Sequence, residues 1–282
     1  MSAEIVVGYN GTPASHEAVE WAANEAGTRG VALRVICCYE IPYSADSLGL
    51  SAADSVAALL DAAQRLAAEA AHAAAAAVPG LEVTAESSVG PASRVLVDAS
   101  HGADLVVLGT SDHHGLIASW LGSTPRFVVR RASCPVVVVR GAASRGRPDR
   151  VVVGADDSEP SKRAIEWAAA EADRHGVPLL LVHAWWYQYG GGSAGRDITR
   201  VDAASVLERA EALAREQCLG TITAELREAD PVPALLDAVR DGDLLVLAAS
   251  GRGAIARGLL GSTVNGVLEA ASVPVVVIPT NR

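Results

Sequence analysis

Two stretches of small and hydroxylated residues are the parts of this chain best suited to chemistry. One reads Ala248-Ala-Ser-Gly251-Arg-Gly253-Ala-Ile-Ala-Arg-Gly258-Leu-Leu-Gly261-Ser262-Thr263. The other reads Gly109-Thr-Ser-Asp112-His-His-Gly115-Leu-Ile-Ala-Ser-Trp-Leu-Gly122-Ser123-Thr124. Residues without bulk let backbone N–H groups approach a phosphate chain with no Cβ in the way. Gly-Ser-Thr at the mouth of a helix adds open amides, two hydroxyls and the positive end of the helix dipole. The chemistry on offer is the cradling of an anion. The same residues would also serve as ordinary turn and cap residues, with Gly251 leaving a strand and Ser262 capping a helix.

Such loops act only if strands and helices hold them together, and the chain builds that scaffold twice. Ile5-Val-Val-Gly8 answers Val151-Val-Val-Gly154, and Glu20-Trp-Ala-Ala answers Glu166-Trp-Ala-Ala, both at an offset of 146. Asp104-Leu-Val-Val-Leu108 matches Asp243-Leu-Leu-Val-Leu247, and Gly122-Ser-Thr matches Gly261-Ser-Thr, at an offset of 139. A period this long indicates duplicated domains and not a solenoid. The polar, Gly-containing stretch 140–149 reads as a linker, giving domains at 1–141 and 149–282.

Within each copy short apolar runs alternate with helical patterns. The first predicts strands at 4–8, 31–38, 81–86, 105–108 and 135–139, and helices at 13–28, 54–77, 92–100 and 124–131. The second predicts strands at 150–154, 179–184, 221–227, 244–247 and 274–278, and helices at 161–174, 199–219, 233–240 and 264–271. This alternation indicates an α/β fold of two doubly wound domains, each a parallel sheet with helices on both faces. Such sheets take ligands beyond the carboxyl ends of their strands. The loops after the first strands, Gly8-Tyr-Asn10-Gly11-Thr12 and Gly154-Ala155-Asp156-Asp157-Ser158, therefore join the two glycine-containing stretches as candidate sites.

These residues resemble the universal stress protein family in its tandem two-domain form, over essentially the whole chain. Nucleotide-binding members carry G-x2-G-x9-G-[ST] after the fourth strand and an Asp shortly after the first. The second copy keeps Gly251, Gly261, Ser262 and Asp156, with Ala248 at the first Gly position. The first copy keeps Gly109, Gly122 and Ser123, but has Asp112 at the second Gly and Asn10 for the Asp. The resemblance implies five-stranded sheets of order 3-2-1-4-5, pairing of the copies through their last strands as an intramolecular pseudo-dimer, and ATP as ligand, with or without Mg²⁺. In the second copy Asp156 would hold the ribose, Ala155 and Ala184 would wall the adenine, and Gly251, Gly261, Ser262 and Thr263 would cradle phosphates. The corresponding positions of the first copy are Asn10, Cys38, Gly109, Gly122, Ser123 and Thr124.

The departures rank the second copy above the first. Ala248 costs roughly 1–2 kcal/mol if its backbone needs φ > 0, and little otherwise. Asp112 is the graver change, since two unit charges 4 Å apart interact by about 4 kcal/mol at an effective dielectric near 20. A cation such as Mg²⁺ between carboxylate and phosphate would remove that repulsion. Asn10 accepts a hydrogen bond from a ribose more weakly than a carboxylate does.

Other candidates weaken on inspection. Adjacent His113 and His114 do not converge on one metal ion, and no partner stands at ligand spacing. Cys37 and Cys38 are strand neighbours on opposite faces, so neither chelation nor a disulfide between them is expected. Trp185-Trp186-Tyr187 and Tyr189 could cover a ligand or an interface, and Trp21 and Trp167 read as equivalent core positions. The single lysine, Lys162, leaves no P-loop, which needs G-x4-G-K-[ST]. No general base, nucleophile and oxyanion set is visible, so enzyme activity is expected to be at most slow ATP hydrolysis.

Composition narrows the classes further. The 282 residues carry 23 Lys+Arg against 33 Asp+Glu, a formal net charge of −10, which argues against a binder of nucleic-acid phosphates. No apolar run is long enough for a membrane span, and no signal-peptide pattern opens the chain. Four cysteines form no framework spacing, so a cytoplasmic protein with reduced thiols is expected. The functional expectation is an ATP-binding stress-response regulator that acts through nucleotide-dependent conformation or binding of a protein partner, with a homodimer possible. The alternative is an interaction module of the same fold whose pockets no longer bind nucleotide.

Overall fold

Runs of Val, Ile and Leu become strands, and the Ala-rich segments between them become helices. The computed structural model describes residues 3–40, 52–110, 122–140, 146–185, 192–251 and 260–280. The chain divides into two compact units, Met1–Gly146 and Arg147–Arg282.

The first unit runs β1 (Glu4–Tyr9), α1 (Pro13–Arg29), β2 (Ala32–Tyr39), α2 (Ala52–Ala77), β3 (Val83–Val89), α3 (Ala92–Ala99), β4 (Leu105–Gly109), α4 (Ser123–Arg131) and β5 (Val136–Val139). Its strands lie in the order β3-β2-β1-β4-β5, and the β1–β2, β1–β4, β2–β3 and β4–β5 pairs are all parallel. The second unit runs β6 (Arg150–Gly154), α5 (Glu159–His175), β7 (Leu179–Trp185), α6 (Gly192–Arg215), β8 (Ile222–Glu228), α7 (Pro231–Leu236), β9 (Asp243–Ala248), α8 (Ser262–Ala270) and β10 (Val275–Ile278). Its order is β8-β7-β6-β9-β10, again with parallel pairs throughout. Each unit thus has the expected 3-2-1-4-5 order, with the switch point between its first and fourth strands.

Helices cover both faces. In the first unit α1 packs on α2, and α3 on α4. Strand alternation sends Cys37 to one face, against Ala63 and Ala67 of α2. It sends Gly8 to the other, where an added Cβ would lie 3.0 Å from Leu96 of α3. Ile5, Val7, Val35, Leu105 and Val107 are fully buried, as are Val151, Val153, Leu181 and Leu245 of the second unit. Burying each such side chain contributes roughly 1.5–3 kcal/mol.

The helices that follow the first strands share one construction. Thr12 caps α1 and Ser158 caps α5, each side chain accepting from the backbone N–H three residues on. Both helices end on a left-handed glycine, Gly30 at φ 66° and Gly176 at φ 65°. Glycine adopts that conformation without the Cβ penalty.

Three expectations are corrected. The helix placed at 233–240 is the shorter α7, six residues from Pro231 to Leu236. Pro231 fixes the first turn, while Asp237 and Ala238 close the end through i→i−3 or i→i−4 backbone bonds rather than further α-helix. Helix α6 begins at Gly192, seven residues before the expected start. Trp21 is 1% exposed, but its equivalent Trp167 is only half-buried. Over Trp21 the backbone passes at Gly146, where a Cβ would lie 2.5 Å from the Trp21 carbonyl oxygen.

Candidate functional site

In the second unit the chain leaves β6 through Ala155, Asp156, Asp157 and Ser158. The Ala155 N–H donates to Val182 O at 2.8 Å, continuing the ladder one residue past the strand. Asp156 then turns the chain into α5. Its Oδ1 accepts from Ser158 N at 3.0 Å and Ser158 Oγ at 2.6 Å, while its own N–H donates to Ser161 Oγ at 3.1 Å. Asp157 follows at φ 63°, the sole non-glycine residue with positive φ among those described. Its carboxylate makes a bidentate pair with Arg209 of α6, at 2.8 and 3.1 Å.

The loop leaving β9 comes to the same place. A Cβ added to Gly251 would lie 2.1 Å from Asp156 Oδ2, so the glycine and the carboxylate touch. Gly251 does not have positive φ. Its small size answers a close approach and not an unusual backbone.

Beyond the loop, Gly261 is the N-cap of α8 and Ser262 its first residue, so the expected capping role of Ser262 is not what the structure has. As a glycine, the N-cap has no side chain to bond the first-turn amides, and no acidic residue sits in that turn. Gly261 N–H donates to Ala249 O at 3.0 Å, which ties the helix start back to the end of β9. The first-turn amides belong to Ser262, Thr263 and Val264. They form the positive end of the helix, which an anion would neutralise.

The first unit keeps the outline and changes the chemistry. Asn10 reproduces the turn, its Oδ1 accepting from Thr12 N at 3.2 Å and Thr12 Oγ1 at 2.7 Å. The difference from Asp156 lies in the second side-chain atom, an amide nitrogen in place of a carboxylate oxygen. Gly122 caps α4, again with no side-chain bond, but the first turn is Ser123, Thr124 and Pro125. Pro125 removes one of three donors. The position of Ala155 is taken by Tyr9, a 5% exposed ring whose hydroxyl bonds His16 Nε2 at 2.9 Å. Burial, with Glu69 and Cys37 nearby, pushes the Tyr9 phenol up and keeps its proton.

Ala248 carries no backbone strain, since its φ is not positive. Its counterpart Gly109 is also free of positive φ and is required for another reason. A Cβ there would lie 2.2 Å from the Ala14 carbonyl oxygen, so β4 and the start of α1 pass closer than a methyl allows.

The alanines expected to wall a base are separated by the pleat. One residue beyond the Gly154↔Val182 pairing, Ala155 stands beside His183, and Ala184 beside Asp156. Their side chains turn to opposite faces. The Ala155 carbonyl is engaged by His183 Nδ1–H. Cys38, the counterpart of Ala184, is half-buried, and its thiol is pushed up to about 11, chiefly by burial and then by Cys37 and Glu86. None of the four cysteines forms a disulfide.

His183 was not singled out by sequence. It is 7% exposed, and its Nδ1–H donates to Ala155 O at 2.6 Å. The pair Tyr9/Cys37 of the first unit is therefore Ala155/His183 in the second, the aromatic ring having moved from one strand end to its neighbour. The signal was present as a lone polar residue inside Leu179-Leu-Leu-Val-His-Ala-Trp185. Asp112, His113, His114 and Gly115 lie outside the described residues, as do Gly253, Gly258, Trp186, Tyr187 and Tyr189.

Comparison with known proteins gives one consistent result. The model of the universal stress protein family matches residues 1–140 and again 148–279. Universal stress protein Rv2005c of Mycobacterium tuberculosis is 33% identical over 97% of this chain and 96% of its own length. Universal stress protein Rv1996 of the same organism is 31% identical over 97% and 94%. The crystal structure of a universal stress protein from Archaeoglobus fulgidus aligns over 99% of both chains with a TM-score of 0.74 at 19% identity, a likeness of fold. No described helix is long and apolar enough to cross a membrane.

Proposed function

The chain belongs to the universal stress protein family, once in each half, and from that premise we propose that its second unit binds ATP and makes the protein a nucleotide-dependent regulator in the cytoplasmic stress response. One observation carries the reading. Asp156 and Gly251 touch at the switch point between β6 and β9, on the loop that leads to the glycine-capped start of α8. In this reading Asp156 faces the ribose, with Ala184 beside it against the base. Gly251, Gly261, Ser262 and Thr263 receive the phosphates, and Mg²⁺ screens the chain's net negative charge from them. The nucleotide-bound and nucleotide-free forms would differ in their affinity for a protein partner, and that difference is the signal.

A second reading applies to the first unit, favoured by the Tyr9 ring at the position of Ala155. With Asn10 and Pro125 also in place, this copy acts as a structural and interaction module that leaves nucleotide sensing to its neighbour.

The experiment is a thermal-shift series with ATP, ADP, AMP and GTP, each with and without Mg²⁺, on nucleotide-free protein. The reading predicts stabilisation by adenine nucleotides, largest with ATP and Mg²⁺, and none by GTP. Equal shifts with all four, or none at millimolar concentration, would overturn it.

A further inference from the structure

The peptide that joins Ala155 to Asp156 is held at both of its polar ends by side chains. Its carbonyl oxygen, on Ala155, accepts from His183 Nδ1–H at 2.6 Å, and its N–H, on Asp156, donates to Ser161 Oγ at 3.1 Å. Both clamps are buried, His183 at 7% exposure and Ser161 at 2%. A carbonyl only accepts, so the bond places a proton on His183 Nδ1.

The internal repeat shows that the sheet does not require this arrangement. In the first unit the pairing of β1 with β2 runs through Tyr9↔Cys37, the last step before Asn10. In the second the pairing of β6 with β7 stops one step earlier, at Gly154↔Val182. Among the described residues no backbone N–H bonds the Ala155 carbonyl, and the imidazole takes that place. The serine clamp exists in both copies, but the Asn10 N–H reaches Ser15 Oγ only at 3.4 Å. With the ladder ended, the two clamps and not the sheet set the tilt of the Ala155–Asp156 peptide. That tilt decides where the Asp156 carboxylate stands, and Gly251 lies directly against it.

We propose that His183 is a positioning residue for the nucleotide site of the second unit, aiming the Asp156 carboxylate at the hydroxyls of the sugar. The assignment rests on the reading that this unit binds ATP. His183 acts through the Ala155 carbonyl and not on the ligand itself, so its loss is felt at the sugar and not at the phosphates.

Calorimetric titration of the nucleotide-free full chain with ATP and with 2′,3′-dideoxy-ATP, each with Mg²⁺, tests it on wild type, His183→Cys and His183→Asn. Cysteine is the first unit's own residue at this place, so His183→Cys should fold and melt close to wild type. It should bind ATP about tenfold more weakly, the loss of one hydrogen bond to a carboxylate, while its affinity for the dideoxy analogue stays that of wild type. His183→Asn, with an amide N–H in place of Nδ1–H, should restore ATP binding. Undiminished ATP binding in His183→Cys, equal weakening toward both nucleotides, or no recovery in His183→Asn would overturn the assignment and leave the nucleotide reading standing. No binding of ATP by wild type would overturn both. Nuclear magnetic resonance of wild type labelled with ¹⁵N-histidine gives a ligand-free check, expected to show His183 protonated at Nδ1. A proton on Nε2 alone would remove the bond and the proposal with it.

Discussion

Asp156 Oδ2 stands 2.1 Å from where a Cβ on residue 251 would be, so the exits of β6 and β9 meet only because that residue is glycine. Asp156 cannot swing away freely, because its Oδ1 is held by the backbone and hydroxyl of Ser158. Gly251→Ala is therefore expected to destabilise the protein by about 1–3 kcal/mol, the usual cost of overpacking. In an Asp156→Ala background the same change should cost little. A double-mutant cycle by denaturant unfolding measures the coupling, and strictly additive effects would show that the two residues do not meet.

Gly109 and Ala248 occupy equivalent positions, and exchanging either residue should destabilise the protein, for different reasons and by different amounts. Gly109→Ala drives a methyl into the Ala14 carbonyl, a backbone obstacle, and is expected to lower the melting temperature by several degrees. Ala248→Gly should be slightly destabilising, by roughly 0.5–1 kcal/mol, through unfolded-chain entropy alone. It should not strengthen nucleotide binding, because no φ strain is relieved. Thermal melts of the two single variants compare them.

The scaffold was legible because physics wrote it in contiguous residues. Runs such as Val136–Val139 and Val275–Ile278, each buried along its length, admit few structures other than buried parallel strands. The caps Thr12 and Ser158 and the end glycines Gly30 and Gly176 mark helix limits in the same local way. What escaped depends on approaches between distant segments. Gly251 read as a strand-exit glycine, yet its constraint is a carboxylate 95 positions earlier. Ser262 looked like a cap from its type, whereas Gly261, which has no side chain to bond the first-turn amides, holds that place. His183 was passed over because its partner, the Ala155 carbonyl, belongs to another strand.

Asp157 holds a left-handed backbone where the first unit has Gly11 at φ 78°. Asp157→Gly should recover the backbone cost of about 1 kcal/mol, while losing the pair with Arg209. Salt screens that pair and leaves the backbone term alone. The variant is expected to gain more in melting temperature over wild type at 1 M NaCl than at low salt. A gain that shrinks as salt rises would contradict this account of the loop.

Cys38, with its thiol pushed up to about 11, should remain protonated through neutral pH. Its alkylation by iodoacetamide is expected to rise about tenfold per pH unit from pH 7 to 10, where an ordinary thiol levels off above pH ~9. Peptide mass spectrometry of labelled native protein follows it. A plateau near pH 9 would show that burial does not govern this thiol.

The central claim is that nucleotide sensing belongs to the second unit, and the stoichiometry of ATP binding tests it most directly. Nucleotide-free protein titrated calorimetrically with ATP and Mg²⁺ should show one site per chain, abolished by Asp156→Ala and untouched by Asn10→Ala. Two sites, or a single site that survives Asp156→Ala and is lost with Asn10→Ala, would contradict it.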